Sequence, residues 1–255
     1  MSFADIINNA AESILDLVYP DGLYCVCCDK MIDSSRPYRL CNECMCMMKW
    51  ASGRTCGKCG KPLSDSDPLE ICYSCREHAH VFDRGYTCME YGSGARAVVF
   101  ALKYGERTDI APTIAEMMHD RLELLRNQGE RCEYDLIIPV PMFHRKELRR
   151  GFNQAALIAG ALAMLEGISY SDKAVVRTRS TGAMKGLDPD ARRANLAGAF
   201  AVTEPAAVKG LKILLVDDIF TVGATADAVA KVLYDAGAVR VEFITFAAGA
   251  DMVKE

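Results

Sequence analysis

The sequence predicts an α/β protein, a mainly parallel sheet flanked by helices, preceded by a small cysteine-rich module. Three observations carry this. Apolar runs of strand length, such as Leu136 to Ile138 and Ile213 to Val216, alternate with longer segments of helical periodicity in the second half. Those runs show no polar alternation, as expected of strands buried on both faces. Four Cys-x-x-Cys pairs crowd the first third, and none occurs beyond it.

Composition sets the limits. The chain has 255 residues, 51% hydrophobic and 25% charged, so it can bury a sizeable core without external staples. A net charge of -4 excludes a globally basic nucleic-acid binder. No apolar run is long enough to form a transmembrane segment. The start, Met1-Ser-Phe-Ala-Asp-Ile-Ile, lacks the basic residues and cleavage site of a signal peptide. The expectation is a cytoplasmic protein, where twelve cysteines would not serve as disulfides.

Residues 1–22 predict an amphipathic helix. Phe3, Ile6, Ile7, Ala10, Ile14, Leu17 and Val18 form one apolar stripe, ended before Pro20 and Gly22. The stripe lacks a basic flank for a membrane surface, so packing within the protein is expected.

Residues 23–80 hold the cysteine pairs: Cys25/Cys28, Cys41/Cys44, Cys56/Cys59 and Cys72/Cys75. Twelve residues separate the first two pairs, and twelve the last two. A Cys-x-x-Cys turn aims two thiolates at one ion, and two such turns complete a closed tetrahedral shell. The spacing predicts a double zinc ribbon with one or two structural Zn²⁺ ions. Neighbouring pairs give the simple assignment, an interleaved cross-brace gives another, and Cys27 and Cys46 stand near enough to compete. Redox chemistry is the rival use of such pairs, but four matched copies favour metal. Counted from Met1 through Arg84 acids outnumber bases, 12 to 9, so this part has no basic surplus to suggest a nucleic-acid face. Trp50 and Tyr73 are expected to cover the small core rather than to stack on bases. His78 and His80 are expected in solvated chain.

Residues 81–255 predict the α/β domain. Val81 to Tyr91 alternates like a strand, and Ala95 to Lys103 and Ala111 to Asn127 read as helices. Lys103 closes the first of them, where a cation is favourable. Tyr134 to Pro141 reads as a buried strand that must end at Pro139 and Pro141, because proline cannot donate to a central ladder. A basic loop follows, with His144, Arg145, Lys146, Arg149 and Arg150 against the single acid Glu147. Such a loop suits a pyrophosphate group. Asn153 to Leu165 is a helix, Lys173 to Arg177 a short strand, and Asp188-Pro189 a helix start. Ala226 to Ala236 and Val239 to Phe246 complete the alternation.

The most informative stretch is Leu211 to Ala226. An apolar run leads to Asp217 and Asp218, then to Thr221-Val222-Gly223-Ala224-Thr225, then to a helix. Open α/β sheets bind ligands where their strands end, and a helix N-terminus favours phosphate. Gly223 permits close backbone approach, and Thr221 and Thr225 add hydroxyls.

This order of parts resembles the signature of type I phosphoribosyltransferases. The resemblance implies a ligand, 5-phosphoribosyl-1-pyrophosphate (PRPP), with Mg²⁺. Asp217 and Asp218 would hold the ribose hydroxyls, and residues 221 to 225 the 5-phosphate. Val222 stands where the family usually has Thr, which removes one hydroxyl. Cys-x-x-Cys pairs, Leu102-Lys-Tyr, Pro139-Val-Pro and Arg149-Arg-Gly-Phe-Asn-Gln154 narrow the resemblance to the ComF family. Its members carry a zinc module and a type I phosphoribosyltransferase-like domain, and are implicated in natural competence. The resemblance implies single-stranded DNA and a competence helicase as partners, and through them a place at the inner face of the membrane. Asp217, Asp218, Arg149 and Arg150 would be catalytic; Thr221, Val222, Gly223, Ala224, Thr225, Lys103 and Arg145 would bind PRPP. Met184 stands where the family commonly has Gln. Three readings remain open: pentosyl transfer from PRPP in competence, a non-catalytic sensor or DNA-binding adaptor, and nucleobase salvage. An amidotransferase lacks its N-terminal cysteine here, because residue 2 is Ser2.

Overall fold

The computed structural model describes residues 22–64, 69–181 and 189–249. The apolar stripe Phe3 to Val18, Met184 and Asp188 lie outside the described residues.

Two short helices sit in the cysteine-rich part, α1 (Asn42–Met47) and α2 (Tyr73–Glu77). The rest alternates as expected: β1 (Gly85–Glu90), α3 (Ser93–Tyr104), α4 (Ile110–Asn127), β2 (Leu136–Pro139), α5 (His144–Arg150), α6 (Gln154–Glu166), β3 (Ser169–Tyr170), β4 (Val175–Arg177), α7 (Pro189–Leu196), β5 (Phe200–Val202), β6 (Lys212–Phe220), α8 (Ala224–Asp235) and β7 (Arg240–Ala248). Among the described residues one sheet runs β1-β7-β6-β2-β3, every pairing parallel, and β4 and β5 form a separate antiparallel hairpin.

The central strand β6 is apolar on both faces, and its side chains divide by parity. Leu214 and Val216 join a core with residues of α3, α4 and α6. Ile213 and Leu215 join a second core with α8 and the hairpin. Helices therefore cover both faces, the arrangement that a parallel sheet requires. β6 runs past the acids to Phe220, with Asp217 still in register with Thr245. The strand is thus longer than the apolar run suggests.

Two further differences concern local structure. Residues 144–150 form a helix, not a loop, capped by Gly151 at φ 87°. Six polar residues and a lone Leu148 carry no apolar periodicity, so the sequence offers no helical signal there. His80 is not solvated: its side chain is 1% exposed.

The cysteine-rich part wraps the edge strand β1. Ala51 N donates to Cys88 O and Glu90 N to Lys49 O, each 2.8 Å, while Gly85 N donates to Lys58 O at 2.8 Å. Trp50 and Met89 form an antiparallel bridge. An edge that would otherwise offer unpaired backbone groups is thereby covered. Cys25 and Cys44 lie in the first core, and Cys56, Cys59 and Cys72 in the second.

Gly60 marks the tightest contact of this wrap. Its φ is 71°, and a Cβ there would stand 2.4 Å from Gly85 O and 2.7 Å from Tyr86 Cα. Gly53 has nothing within 4 Å of its Cβ position and no positive φ. Gly60→Ala combines left-handed strain of about 1–3 kcal/mol with a clash against β1. At roughly 2–4 °C per kcal/mol for a chain of this size, it should lower the thermal midpoint by at least several degrees. Gly53→Ala should leave the midpoint nearly unchanged, and equal shifts would show that the close approach is absent.

Candidate functional site

The cysteines form two tetrads: Cys25, Cys28, Cys41 and Cys44, and Cys56, Cys59, Cys72 and Cys75. Within each tetrad all sulfur atoms lie within 4.8 Å of one another. Cys28 and Cys41 Sγ are 3.8 Å apart, and Cys59 and Cys72 Sγ 3.6 Å. Zinc–sulfur bonds of about 2.3 Å in a tetrahedron place sulfurs roughly 3.8 Å apart, so both tetrads fit structural Zn²⁺. Pairing is between neighbours, without a cross-brace. Cys27 and Cys46 belong to neither tetrad.

The two knuckles repeat each other. Cys25 N donates to Lys30 O and Cys56 N to Lys61 O; Cys41 N donates to Cys25 Sγ and Cys72 N to Cys56 Sγ. The left-handed turn residue is Asp29 in one and Gly60 in the other.

A second constellation gathers at the C-terminal end of β6. Asp217 and Asp218 are consecutive strand residues, so they project to opposite faces. Asp218 is 3% exposed. It ion-pairs with Lys103 from the last turn of α3, and Gln154 Nε2 donates to its Oδ1 at 3.4 Å. Arg150 in turn donates to Gln154 Oε1. Asn153 fixes this end of α6: Oδ1 accepts from Ala155 N (3.1 Å) and Nδ2 donates to Val140 O (3.2 Å). Asp217, half-buried, accepts from Asp218 N at 2.8 Å. Burial, and then the neighbouring Asp218 charge, raise its carboxyl well above the usual range.

Both acids open into a cavity of about 390 Å³ that also takes in Lys103, Tyr104, Lys146, Arg150, Asn153, Gln154, Arg177, Thr221 and Thr225. A neighbouring cavity of about 420 Å³ shares Lys103, Tyr104, Lys146 and Arg150 and adds Glu106, Arg149 and Phe152. Burial, then the charges of Arg177, Arg149 and Arg150, push Lys146 below the usual lysine range. Burial, then Arg179, does the same to Arg177. The cavity walls thus hold cations in excess.

The loop after β6 meets α8 at Gly223, whose φ is 77°. A Cβ there would come within 2.7 Å of His80 Cε1. His80 stacks on Phe82 with ring centroids 4.6 Å apart, and its Nδ1 lies 2.8 Å from Asp227 Oδ2. Asp227 also accepts from Val81 N at 2.7 Å. The one acid in the first turn of α8 is thereby turned away from the loop. Thr221, Gly223 and Thr225 line a small hollow of about 40 Å³ with Asp217.

The structure brings Asp217, Asp218, Lys103, Arg150, Thr221 and Thr225 to one cavity, and Arg149 to its neighbour. It does not bring Arg145 there: that side chain is exposed and lines neither cavity. Val222 packs against the second core, and Ala224 is buried within it. The position where the family carries Thr therefore faces packing, so Val222 costs the cavity no donor. The sequence reading assigned no site role to Gln154, Asn153 or Arg177. The first two lie inside the motif already singled out; Arg177 reaches the cavity only through the β4–β5 hairpin.

Comparison with known proteins fits this arrangement. Residues 14–76 match a family model described as a double zinc ribbon domain. The DNA utilization protein YhgH of Escherichia coli K12 is 31% identical over 171 residues, 66% of this chain and 73% of that protein. The chain belongs to the ComF family. Competence protein F of Haemophilus influenzae is 26% identical over 165 residues, 64% of this chain and 72% of that protein. Among solved structures, the glutamine PRPP amidotransferase of B. subtilis aligns at 19% identity and a TM-score of 0.37. That match covers 57% of this chain and 30% of the amidotransferase chain. The adenine phosphoribosyltransferase of Thermoanaerobacter pseudethanolicus aligns at 18% identity and a TM-score of 0.33, covering 57% of this chain and 72% of that one. No helix among the described residues is long and apolar enough to cross a membrane.

The raised Asp217 carboxyl has a consequence for stability. A raised folded value means that the contribution to stability is present below the unfolded carboxylate value, about 3.9. It is lost as pH rises through the folded value. Asp217→Asn, neutral at every pH, should match the wild-type midpoint in acid and exceed it by a few degrees at pH 8. A variant less stable than wild type at pH 8 would contradict the raised value; circular dichroism melts at both pH values decide.

Proposed function

We propose that this ComF-family chain binds PRPP with Mg²⁺ at the end of β6, and acts there as a pentosyl-transfer enzyme in DNA utilization or competence. One observation carries the reading. Two acids, a glycine-turned loop on a helix N-terminus and a wall of cations converge on a single cavity of about 390 Å³.

Each part answers one part of the ligand. The loop at Thr221 to Thr225 offers backbone N–H groups, two hydroxyls and the positive end of α8 to the 5-phosphate. Asp217 and Asp218 accept from the ribose hydroxyls. Lys103, Lys146, Arg150 and Arg177 face the pyrophosphate, with Arg149 at the entrance. The acids also supply the hard oxygen donors that suit Mg²⁺. When bound, that ion would neutralise pyrophosphate charge. In transfer, the bond from ribose C1 to pyrophosphate breaks, the electron pair leaves with pyrophosphate, and an acceptor forms the new bond at C1. Cationic side chains stabilise the departing charge and the acids the growing positive charge on ribose. Lys103 must loosen its hold on Asp218 to serve the pyrophosphate.

Calorimetry with Mg²⁺ and PRPP tests the binding step. Wild-type protein should give saturable heat below about 1 mM, and Gly223→Ala should lose at least tenfold in affinity through its φ and the His80 contact. No heat from wild-type protein would overturn the reading. Pyrophosphate release with a panel of bases and nucleotides, abolished in Asp217→Asn, separates an enzyme from a binding-only adaptor.

The names of the relatives point to DNA, and the rim of the site supports contact with a single strand. Phe100 and Tyr104 are 59% and 65% exposed, with ring centroids 4.7 Å apart, and the Arg150 guanidinium lies 5.4 Å from the Tyr104 centroid. Exposed rings beside cations suit stacked bases and their phosphates. Tyr104→Ala should weaken binding of a thymidine oligonucleotide, worth about 1–3 kcal/mol for one stacked base, as read by fluorescence anisotropy at fixed salt. Unchanged affinity would move the strand elsewhere.

A further inference from the structure

Among the described residues Arg121 is a cation without an ion-pair partner. It lies on α4, 9% exposed, and its Nε is fully buried with no hydrogen-bond partner. Among the described residues no ion pair or hydrogen bond reaches its guanidinium. Burial lowers its basicity, and the nearby Arg84 charge adds to the effect. Arg84 itself is held by Glu130 at 2.5 Å. Buried charges in proteins are ordinarily paired, so this one stands out from the ion pairs around it.

The side chain lines a cleft of about 120 Å³ on the side of the molecule where the first zinc knuckle meets α4. One wall comes from the chain around the knuckle, Tyr38 and Trp50, whose ring centroids are 5.4 Å apart. The other comes from α4, through Met117 and Leu124. Asp120, also in the lining, is already engaged by the Tyr38 hydroxyl at 2.6 Å. The cleft therefore combines apolar and aromatic walls with one largely buried guanidinium whose Nε lacks a hydrogen-bond partner among the described residues. It shares no lining residue with the cavities at the end of β6.

We propose that the cleft between the first zinc knuckle and α4 is a second binding site, for a small carboxylate with a flat apolar body, its carboxylate on Arg121 and its body against Trp50 and Tyr38. A guanidinium fork matches carboxylate geometry in a bidentate way. The volume is well below the roughly 300–1,000 Å³ of drug-sized sites, which limits the ligand to about one ring. The proposal does not rest on PRPP binding.

Trp50 is the only tryptophan in the chain, so its emission reports on this cleft alone. Full-length zinc-loaded protein is titrated with benzoate, and with benzyl alcohol as the neutral analogue. Ionic strength is held constant. Benzoate should change Trp50 emission saturably, with a dissociation constant of about 0.1–1 mM. Benzyl alcohol should not, and Arg121→Met should abolish the response. That variant should melt no lower than wild type, because it removes an unpaired buried charge. A second variant, Arg121→Lys, keeps the charge but loses the fork, and should weaken benzoate binding at least threefold. No saturable response, an equal response to benzyl alcohol, or a response retained in Arg121→Met would overturn the proposal.

Discussion

Consecutive residues of a strand point to opposite faces, and Asp217 and Asp218 sit at the end of a strand buried on both. That constraint organises the site. Asp218 turns toward α3 and α6, where Lys103 and Gln154 hold it. Asp217 turns toward the loop, the hairpin and α8. Only a cavity lying across the strand end can be reached by both. The elements that close it therefore come from both faces: α3, α5 and α6 on one side, the β4–β5 hairpin and the start of α8 on the other.

The cysteine-rich part belongs to the same economy of faces. Each tetrad contributes to a different core, so the chain passes around β1 and anchors once on each side. The second anchor leads straight into His80, which fills the space behind Gly223. The zinc-ribbon part thus reaches to within one side chain of the loop. The first anchor leads into Trp50 and Tyr38, which cover one flank of α4. The ribbon acts as a clasp across the sheet edge.

Much of this was legible in the sequence, and the parts that were not share physical reasons. The strands, the long helices and the four cysteine pairs follow from patterns carried by several residues each, whereas the spacing alone allows either neighbour pairing or a cross-brace, and the tetrads decide for neighbours. The helix at His144–Arg150 has Leu148 as its one apolar residue, so periodicity is silent; helical spacing sets Arg149 beside Arg145 as well as Lys146, so it could not have separated Arg145 from the cavity residues. His80 reads as solvated because its neighbours His78 and Glu77 are polar; its burial depends on Asp227, far along the chain. Val222 reads as a lost hydroxyl only while the loop is taken as uniformly facing the ligand. Arg177 and Arg121 gain their meaning from elements brought beside them in three dimensions, which no local pattern encodes.

The charges at the end of β6 do not settle one another. Lys103 ion-pairs with Asp218, while burial, and then the Asp218 charge, raise the Asp217 carboxyl well above its usual range. Lys146, Arg150 and Arg177 remain on the other side of the same space, two of them with lowered basicity. Their mutual repulsion is strongest where water is scarcest. A monovalent anion would relieve one of these cations; a ligand with several negative groups, spaced across the cavity from the loop to α5, would relieve them together. Its arrival would also compete with Asp218 for Lys103, which couples occupancy at the cationic wall to the state of the acid pair. Under the proposed function, a polyanion long enough to touch both ends would balance the charges of this cavity.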